Sequence, residues 1–392
     1  MREADVIQSA LAGTGHPCAC NGDIVMTDKL AELWCMRSQV PTPLGIAFQL
    51  GSLEQVVRRQ GGTIRSVQES TDALTPHLGA RLPDSVRQGG SVPAIWARAN
   101  GQDTRVIGIT WMDEYQAIVA LPHSGIRGPA DLAGRKIGIP LHDAPLDPRR
   151  ASALRAFQVV LAAQGMALDS VQWVDLPDEA IPALTRDDNI VLSLGKGRRG
   201  RHSYTNEARA LARGEVDAVY MKDVRGAQTA HMLGAHTVVD IGSHPDPFVR
   251  INNGTPRPLT VNGQLLDRHP QLVRALLAQV LHAGDWARRE PAGALTLISR
   301  ETGWAEPWIR HAYGETLQER LRVDLSDALV DGLAVFKDFL FGIGVLPADF
   351  DVRDWIDPEP LADVLRDRQA WNVAIPPWPA AESAAGGARL LH

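Results

Sequence analysis

The feature that most constrains this chain is the alternation of buried-strand and amphipathic-helix patterns through its middle. The phrase Gly128-Pro129-Ala130-Asp131-Leu132-Ala133-Gly134 reads as a short helical turn closed by glycine. Arg135-Lys136-Ile137-Gly138-Ile139-Pro140 then reads as a buried strand. Asp147-Pro148 starts a helix, with proline in the first turn, where its missing N–H costs nothing. Leu154, Phe157, Val160 and Leu161 keep helical spacing toward Met166. Residues 171–176 alternate like a strand, residues 207–213 are helical up to Gly214, and residues 216–220 form another strand. This order predicts parallel α/β sheets. Upstream, residues 105–110 and 117–120 read as two strands joined by a turn.

A length of 392 residues exceeds what one ordinary core supports, so two lobes are expected. The pattern divides them as residues 1–112 with 240–374, and residues 113–239. A late helical block covers residues 272–289, 305–313 and 325–343 and packs back on the first lobe. A loosely ordered tail, 375–392, carries Pro376-Pro377-Trp378-Pro379.

The net charge of −6 gives no global attraction to nucleic acid or to an anionic membrane. One basic run, Lys196-Gly197-Arg198-Arg199-Gly200-Arg201-His202, reads as a solvated loop; its functional reading is a flap that attracts an anion. Met1-Arg2-Glu3-Ala4-Asp5 carries acids where a secretory leader needs an apolar stretch, and no run of eighteen apolar residues is present. Three cysteines (Cys18, Cys20 and Cys35) are too few for a disulfide framework. A cytoplasmic, monomeric protein with free thiols is the expectation.

Two groups of residues carry chemistry. The first is His16-Pro17-Cys18-Ala19-Cys20-Asn21-Gly22, where Pro17 and the Asn-Gly pair hold the thiols in a constrained loop. No second Cys or His pair follows at metal-ligand spacing, so no metal is expected. A nucleophile or proton donor is the sharper reading, provided that cations or a helix N-terminus favour the thiolate. Cys35, inside Leu33-Trp34-Cys35-Met36, reads as core. The second group is His77 with Arg87-Gln88-Gly89-Gly90. Arginine's forked donors match a two-oxygen anion, and consecutive glycines let backbone N–H groups approach a ligand. Taken singly, each group also has a plain structural reading: a core thiol, and a turn with a surface His and Arg.

Together these residues resemble the 2'-hydroxybiphenyl-2-sulfinate desulfinase family. That family combines a Cys near the N-terminus, a His, and an Arg ten residues on, followed by x-Gly-Gly. Here His77 and Arg87 stand at that spacing, Gly89-Gly90 follow, and Cys18 is the best match to the family cysteine, with Cys20 the fallback. Residues 105–110, 130–138, 216–220, 234–242, 283–288 and 317–321 match as well. The resemblance implies a two-lobed, type II periplasmic-binding-protein-like fold with a ligand cleft between lobes. It implies cleavage of a carbon–sulfur bond in an aryl sulfinate with release of sulfite, a hydrolase chemistry that uses no cofactor. Cys18, His77 and Arg87 would be catalytic, and Gly89 and Gly90 would help hold the sulfinate. The chain departs from the family at the pocket wall. His16 stands where the family has Ser, Leu78 where it has an aromatic residue, and Arg149 where it has Trp. These three residues, read as substrate-binding, imply a more polar organosulfur anion. Two alternatives share the fold: a non-catalytic binding protein for a sulfonate-like anion, and a relative of the thiamin-pyrimidine synthases.

Overall fold

Burial in β1 (Glu32–Arg37) alternates residue by residue. Leu33, Cys35 and Arg37 are buried, while Trp34 and Met36 on the other face are half-buried. This strand belongs to a mixed sheet with β2 (Thr63–Ser66), β3 (Ser85–Gln88), β4 (Thr104–Thr110) and β10 (Arg257–Asn262). Their order is β2-β1-β3-β10-β4. The computed structural model describes residues 30–38, 40–67, 82–142, 144–178 and 204–371. His16, Cys18, Cys20, His77 and Leu78 lie outside the described residues, as do the basic run 196–202 and the tail from residue 375.

Helices cover both faces of this sheet. On one side lie α1 (Pro43–Gln49), α2 (Ser52–Arg59), α8 (Pro270–Arg289) and α9 (Pro291–Thr302). The predicted amphipathic helix over 272–289 is α8. Its Leu276, Leu277, Val280 and Leu281 are buried in one cluster with Leu44, Ile46 and Leu53. On the other side α3 (Ser91–Ala99) and α11 (Asp327–Gly342) pack Ile95, Leu333 and Phe336 against Val106 and Ile109. Trp355, almost fully buried, donates from Nε1 to Thr104 Oγ1 at 3.0 Å.

A second sheet holds β5 (Gln116–Ala120), β6 (Lys136–Leu141), β7 (Gln172–Pro177), β8 (Ala218–Lys222) and β9 (His236–Asp240), in the order β7-β6-β8-β5-β9. β5 and β8 are buried at every position, as central strands covered on both faces must be. α4 (Pro148–Ala163) packs Phe157 and Leu161 on one face. α5 (Thr205–Ala212) and α6 (Asp223–Leu233) place Leu211, Tyr204 and Ala230 on the other. The remaining helices are α7 (Gly263–Arg268), α10 (Glu306–Tyr313) and α12 (Glu359–Arg366).

Two expectations change. The strands at 105–110 and 117–120 are β4 and β5, and the link between them is a crossing from one sheet to the other rather than a turn. The sheets are also mixed: β1, β2 and β3 are mutually parallel, but β10 runs antiparallel to β3 and β4, and β5 antiparallel to β8 and β9. The cause is the segment Trp111–Tyr115, which carries the chain from one sheet to the other, and the return at residues 241–256.

Glu114 sits inside that crossing with no exposure. It accepts a hydrogen bond from the Lys222 ammonium at the end of β8, and Arg257 Nη2 at the start of β10 lies 3.2 Å away. Tyr313 OH, at the end of α10, is 3.5 Å from the same carboxylate. Arg257, itself fully buried, donates further to Gly254 O at 2.7 Å and to Pro41 O. Removing one partner of a buried pair leaves uncompensated charge, which costs about 3–5 kcal/mol. Glu114→Ala is therefore expected to lower unfolding free energy by about that amount, read as a fall in the urea midpoint.

Candidate functional site

Both sheets contain the same reversal of strand order. From β1 the chain passes through α1 and α2 to β2 on one side, then returns to β3 on the other. From β6 it passes through α4 to β7, then through α5 to β8. In parallel α/β sheets, ligands bind outside the carboxyl ends of strands at such a switch point. The first switch point lies at the ends of β1 and β3, at Ser38 and Gly89. The second lies at the ends of β6 and β8, at His142 and Asp223. Asp223 is one of two described non-glycine residues with positive φ, at 59°, and strain of that kind concentrates at functional sites.

Arg87 is placed by the alternation of β3. Gln88 faces the helical side, accepting from Leu44 N at 3.0 Å and donating to Thr110 Oγ1 at 2.9 Å. Arg87 points to the opposite face, in register with Met36 and Thr260. It is only 9% exposed. Its Nη2 donates to Gly90 O at 3.0 Å, while Nη1 is buried and has no hydrogen-bond partner. Among the described residues no carboxylate pairs with it; burial alone lowers its pKa, to about 10, so it stays charged at neutral pH.

The two glycines beside it are required by neighbours. A Cβ on Gly89 would fall 1.7 Å from Ser38 Oγ, and one on Gly90 would fall 2.6 Å from both polar atoms of the Asn253 amide. Asn253 caps α3 from a distant part of the chain: its O accepts from Ser91 N at 2.8 Å, and its Oδ1 from Val92 N at 2.9 Å. Its own N lies 3.4 Å from Ser152 Oγ, on α4 one turn beyond Arg149. The N-terminal ends of α3 and α4 thus meet at one turn.

Arg149 stands in the first turn of α4. Its guanidinium lies 4.2 Å above the Tyr204 ring, and Nη1 is 3.9 Å from Glu207 Oε1. Burial raises the Glu207 pKa, with Arg149 opposing the shift. Arg149 therefore presents a stacked, ion-paired plane rather than a bare charge. Nearby, Asp147 caps α4, accepting from Arg149 N and Arg150 N at 3.0 Å each, while its other oxygen takes His142 Nδ1 at 3.0 Å. That hydrogen bond is the main cause of a raised His142 pKa.

The structure thus brings Arg87, Gly89 and Gly90 together at the end of β3 and places Arg149 in the first turn of α4, against Tyr204 and Glu207. Sequence reading missed Ser38, Asn253, His142 and Glu207. Of these, only His142, five residues before the Asp147-Pro148 helix start, had a local signal. Cys35 is the one cysteine among the described residues. It is wholly buried and pushed up to about 12, chiefly by that burial, which makes it a core thiol and no nucleophile. No helix among the described residues is long and apolar enough to cross a membrane.

Comparison with known proteins matches this architecture. No family model matches the chain. The 2'-hydroxybiphenyl-2-sulfinate desulfinase of Rhodococcus erythropolis is 27% identical over 318 residues, which is 74% of this chain and 83% of that one. The crystal structure of a Cys-to-Ser variant of DszB in complex with biphenyl-2-sulfinic acid is similar at a TM-score of 0.67 and 26% identity, covering 86% of this chain and 99% of that one. The putative periplasmic sulfonate-binding protein SsuA of Methylobacillus flagellatus KT gives 0.63 and 15%, over 87% and 95% of the two chains. The alkanesulfonate-binding SsuA of Xanthomonas axonopodis pv. citri, bound to MOPS, gives 0.57 and 17%, over 84% and 99%. The chain has the two-lobed α/β fold of these solute-binding proteins, with its late helices as a C-terminal block.

The His142–Asp147 pair makes stability depend on pH with a definite sign. The folded-state pKa of His142 is raised above its ordinary 6.5, so the stabilisation is complete below that value and fades as pH rises through the raised one. His142→Ala is expected to cost about 1 kcal/mol at pH 6 and markedly less at pH 9, measured by urea unfolding at both.

Proposed function

We propose that this protein is a desulfinase that cleaves the carbon–sulfur bond of an aryl sulfinate and releases sulfite. The observation that carries the reading is Arg87. Among the described residues this buried guanidinium has no counter-ion and its Nη1 no partner, a costly state that an anionic ligand would relieve. It stands at a switch point in a chain similar to a sulfinate desulfinase and to a structure holding a sulfinate. Arg87 and the backbone amides of Gly89-Gly90 hold the sulfinate oxygens. The ligand lies between one lobe built from residues 1–112 and 240–374 and another from residues 113–239.

The overall reaction is sulfinate plus water giving arene plus bisulfite. Cys18, outside the described residues, supplies the thiol in one of two balanced routes. In the first, a proton passes from the thiol to the carbon bearing sulfur. The carbon–sulfur bond breaks, sulfur dioxide leaves, and hydration gives bisulfite and returns the proton. In the second, the thiolate attacks sulfur, the carbon leaves with the proton, and water releases bisulfite from the thiol–sulfur adduct. His77 tunes the thiol in both. Neither route calls on a cofactor, and the enzyme works in the cytoplasm as a monomer. The Arg149–Tyr204–Glu207 wall and His142 favour a substrate more polar than a plain biphenyl, with hydrogen-bonding groups on the ring away from sulfur.

The likeness to sulfonate-binding proteins supports a second reading, an oxyanion-binding protein without turnover. Sulfite release separates the two. On a panel of aryl sulfinates, the parent is expected to release sulfite, Cys18→Ser to bind but release none, and Arg87→Ala to bind at least tenfold more weakly by calorimetry, an effect of about 1.4 kcal/mol or more. Full turnover by Cys18→Ser would remove the thiol from the mechanism. Tight binding without sulfite from the parent would establish the second reading.

A further inference from the structure

Beside the crossing between the sheets, we infer a second ligand site, separate from the turn at Arg87. It takes a small aromatic anion, an arenecarboxylate or arenesulfonate, with the ring against Trp111 and the acid group at Arg250 and Arg320. The cavity there has a volume of about 370 Å³, inside the range of roughly 300–1,000 Å³ usual for small-molecule sites. The inference goes beyond the desulfinase reading and does not depend on it.

Its walls are set by backbone pairing and close packing. β4 is the edge strand of the first sheet, with β10 between it and β3. Along that edge the segment after α10 is fixed by two backbone hydrogen bonds, Ile109 N to Asp324 O and Asp324 N to Ile109 O, each 2.9 Å. Phe248 and Arg250 of the return segment line the cavity, and so does Leu329 of α11. Trp111 completes the apolar side. Its ring lies against Gly332 of α11, where a Cβ would fall 2.6 Å away, and its Nε1 donates to Asp113 Oδ1 at 3.0 Å. The cavity shares no lining residue with the Arg87 turn or with the group around Arg149.

The polar side is cationic. Arg250 and Arg320 share a single carboxylate, Asp113. Arg250 Nε lies 3.1 Å from its Oδ1, off the line of a hydrogen bond, and Arg320 Nη1 lies 3.8 Å from its Oδ2. The Nε of each arginine is buried without a hydrogen-bond partner. The neighbouring carboxylate, Glu114, is already held by Lys222 and Arg257. Burial lowers the Arg320 pKa, and Arg257 and Arg250 push the same way against Asp113. Two guanidiniums on one carboxylate leave a positive charge over. On the rim Arg322 pairs loosely with Asp324 at 3.8 Å, while the exposed Glu319 opposes an anion. A flat anion answers both sides: its ring covers Trp111 and Leu329, and its two-oxygen head meets forked donors.

The test uses the full chain carrying Arg87→Ala, which removes the first anion site as a competitor. The probes are 2-naphthoate and its neutral counterpart, naphthalene-2-methanol. Calorimetry is expected to find one naphthoate site, with the alcohol about tenfold weaker. Ala328 is exposed on the lining, so Ala328→Trp fills the apolar side; it is expected to weaken naphthoate about tenfold at an unchanged melting temperature. The rim charges act with opposite signs. Arg322→Gln is expected to weaken naphthoate about threefold, and Glu319→Gln to tighten it about twofold. Absent naphthoate binding, or an alcohol that binds as tightly, would overturn the inference. So would a stable Ala328→Trp that binds like the parent, or rim variants that shift affinity in the same direction. Should Ala328→Trp lower the melting temperature, the rim pair decides alone. Sulfite release is a separate readout: naphthoate binding of this kind without sulfite keeps the site and removes the enzyme, and sulfite release without it does the reverse.

Discussion

The architecture depends on one buried carboxylate. Glu114 lies on the segment that carries the chain between sheets, and it joins a lysine from the end of β8 to an arginine from the start of β10. Neither cation belongs to the same stretch of chain as Glu114, so the three groups meet only when both sheets have formed. Through Tyr204, the contact extends to the cleft wall. Lys222 N donates to Tyr204 OH at 2.8 Å, and Tyr204 carries Arg149 on its ring. Through Arg257 it extends the other way, to Pro41 beside the first turn of α1. The two sheets are thus tied to a common point.

The walls differ in electrostatic character. On the first sheet, Arg87 is buried with its charge uncompensated. On the second, Arg149, Glu207, His142 and Asp147 are grouped so that each charge has an opposite neighbour.

Much of the fold was legible in the sequence because it rests on local periodicity. The twenty residues of α8 and the buried run of β6 carry their own pattern, and Asp147-Pro148 announces the start of α4. The crossing at Trp111–Tyr115 was legible as a boundary between lobes at residue 112, but not from the two strand patterns themselves. A strand, a short gap and another strand look the same whether the chain turns back or passes on, and here the choice is made by Glu114 meeting distant cations. The site divides along the same line. Arg87-x-Gly-Gly is a local phrase and could be seen. Ser38 is an ordinary serine until the pairing of β1 with β3 brings it to Gly89. Arg149 could be seen, but Glu207, which neutralises it, lies on another helix, so a paired residue was read as a bare charge. The N-terminal thiols, His77 and Leu78 fall outside the described residues, and their part in the site remains a proposal drawn from resemblance.

Among the described residues Arg87 has no counter-ion, so under the proposed function an anionic ligand completes the folded protein. Anything that supplies the counter-ion binds the native state and leaves the unfolded chain untouched, so melting temperature climbs with the logarithm of anion concentration. The fold is in this sense its own sensor. Thermal shift ranks candidate oxyanions by how well they complete the cleft, whether or not any of them is turned over, and the order in which they rank is a map of what the second wall accepts.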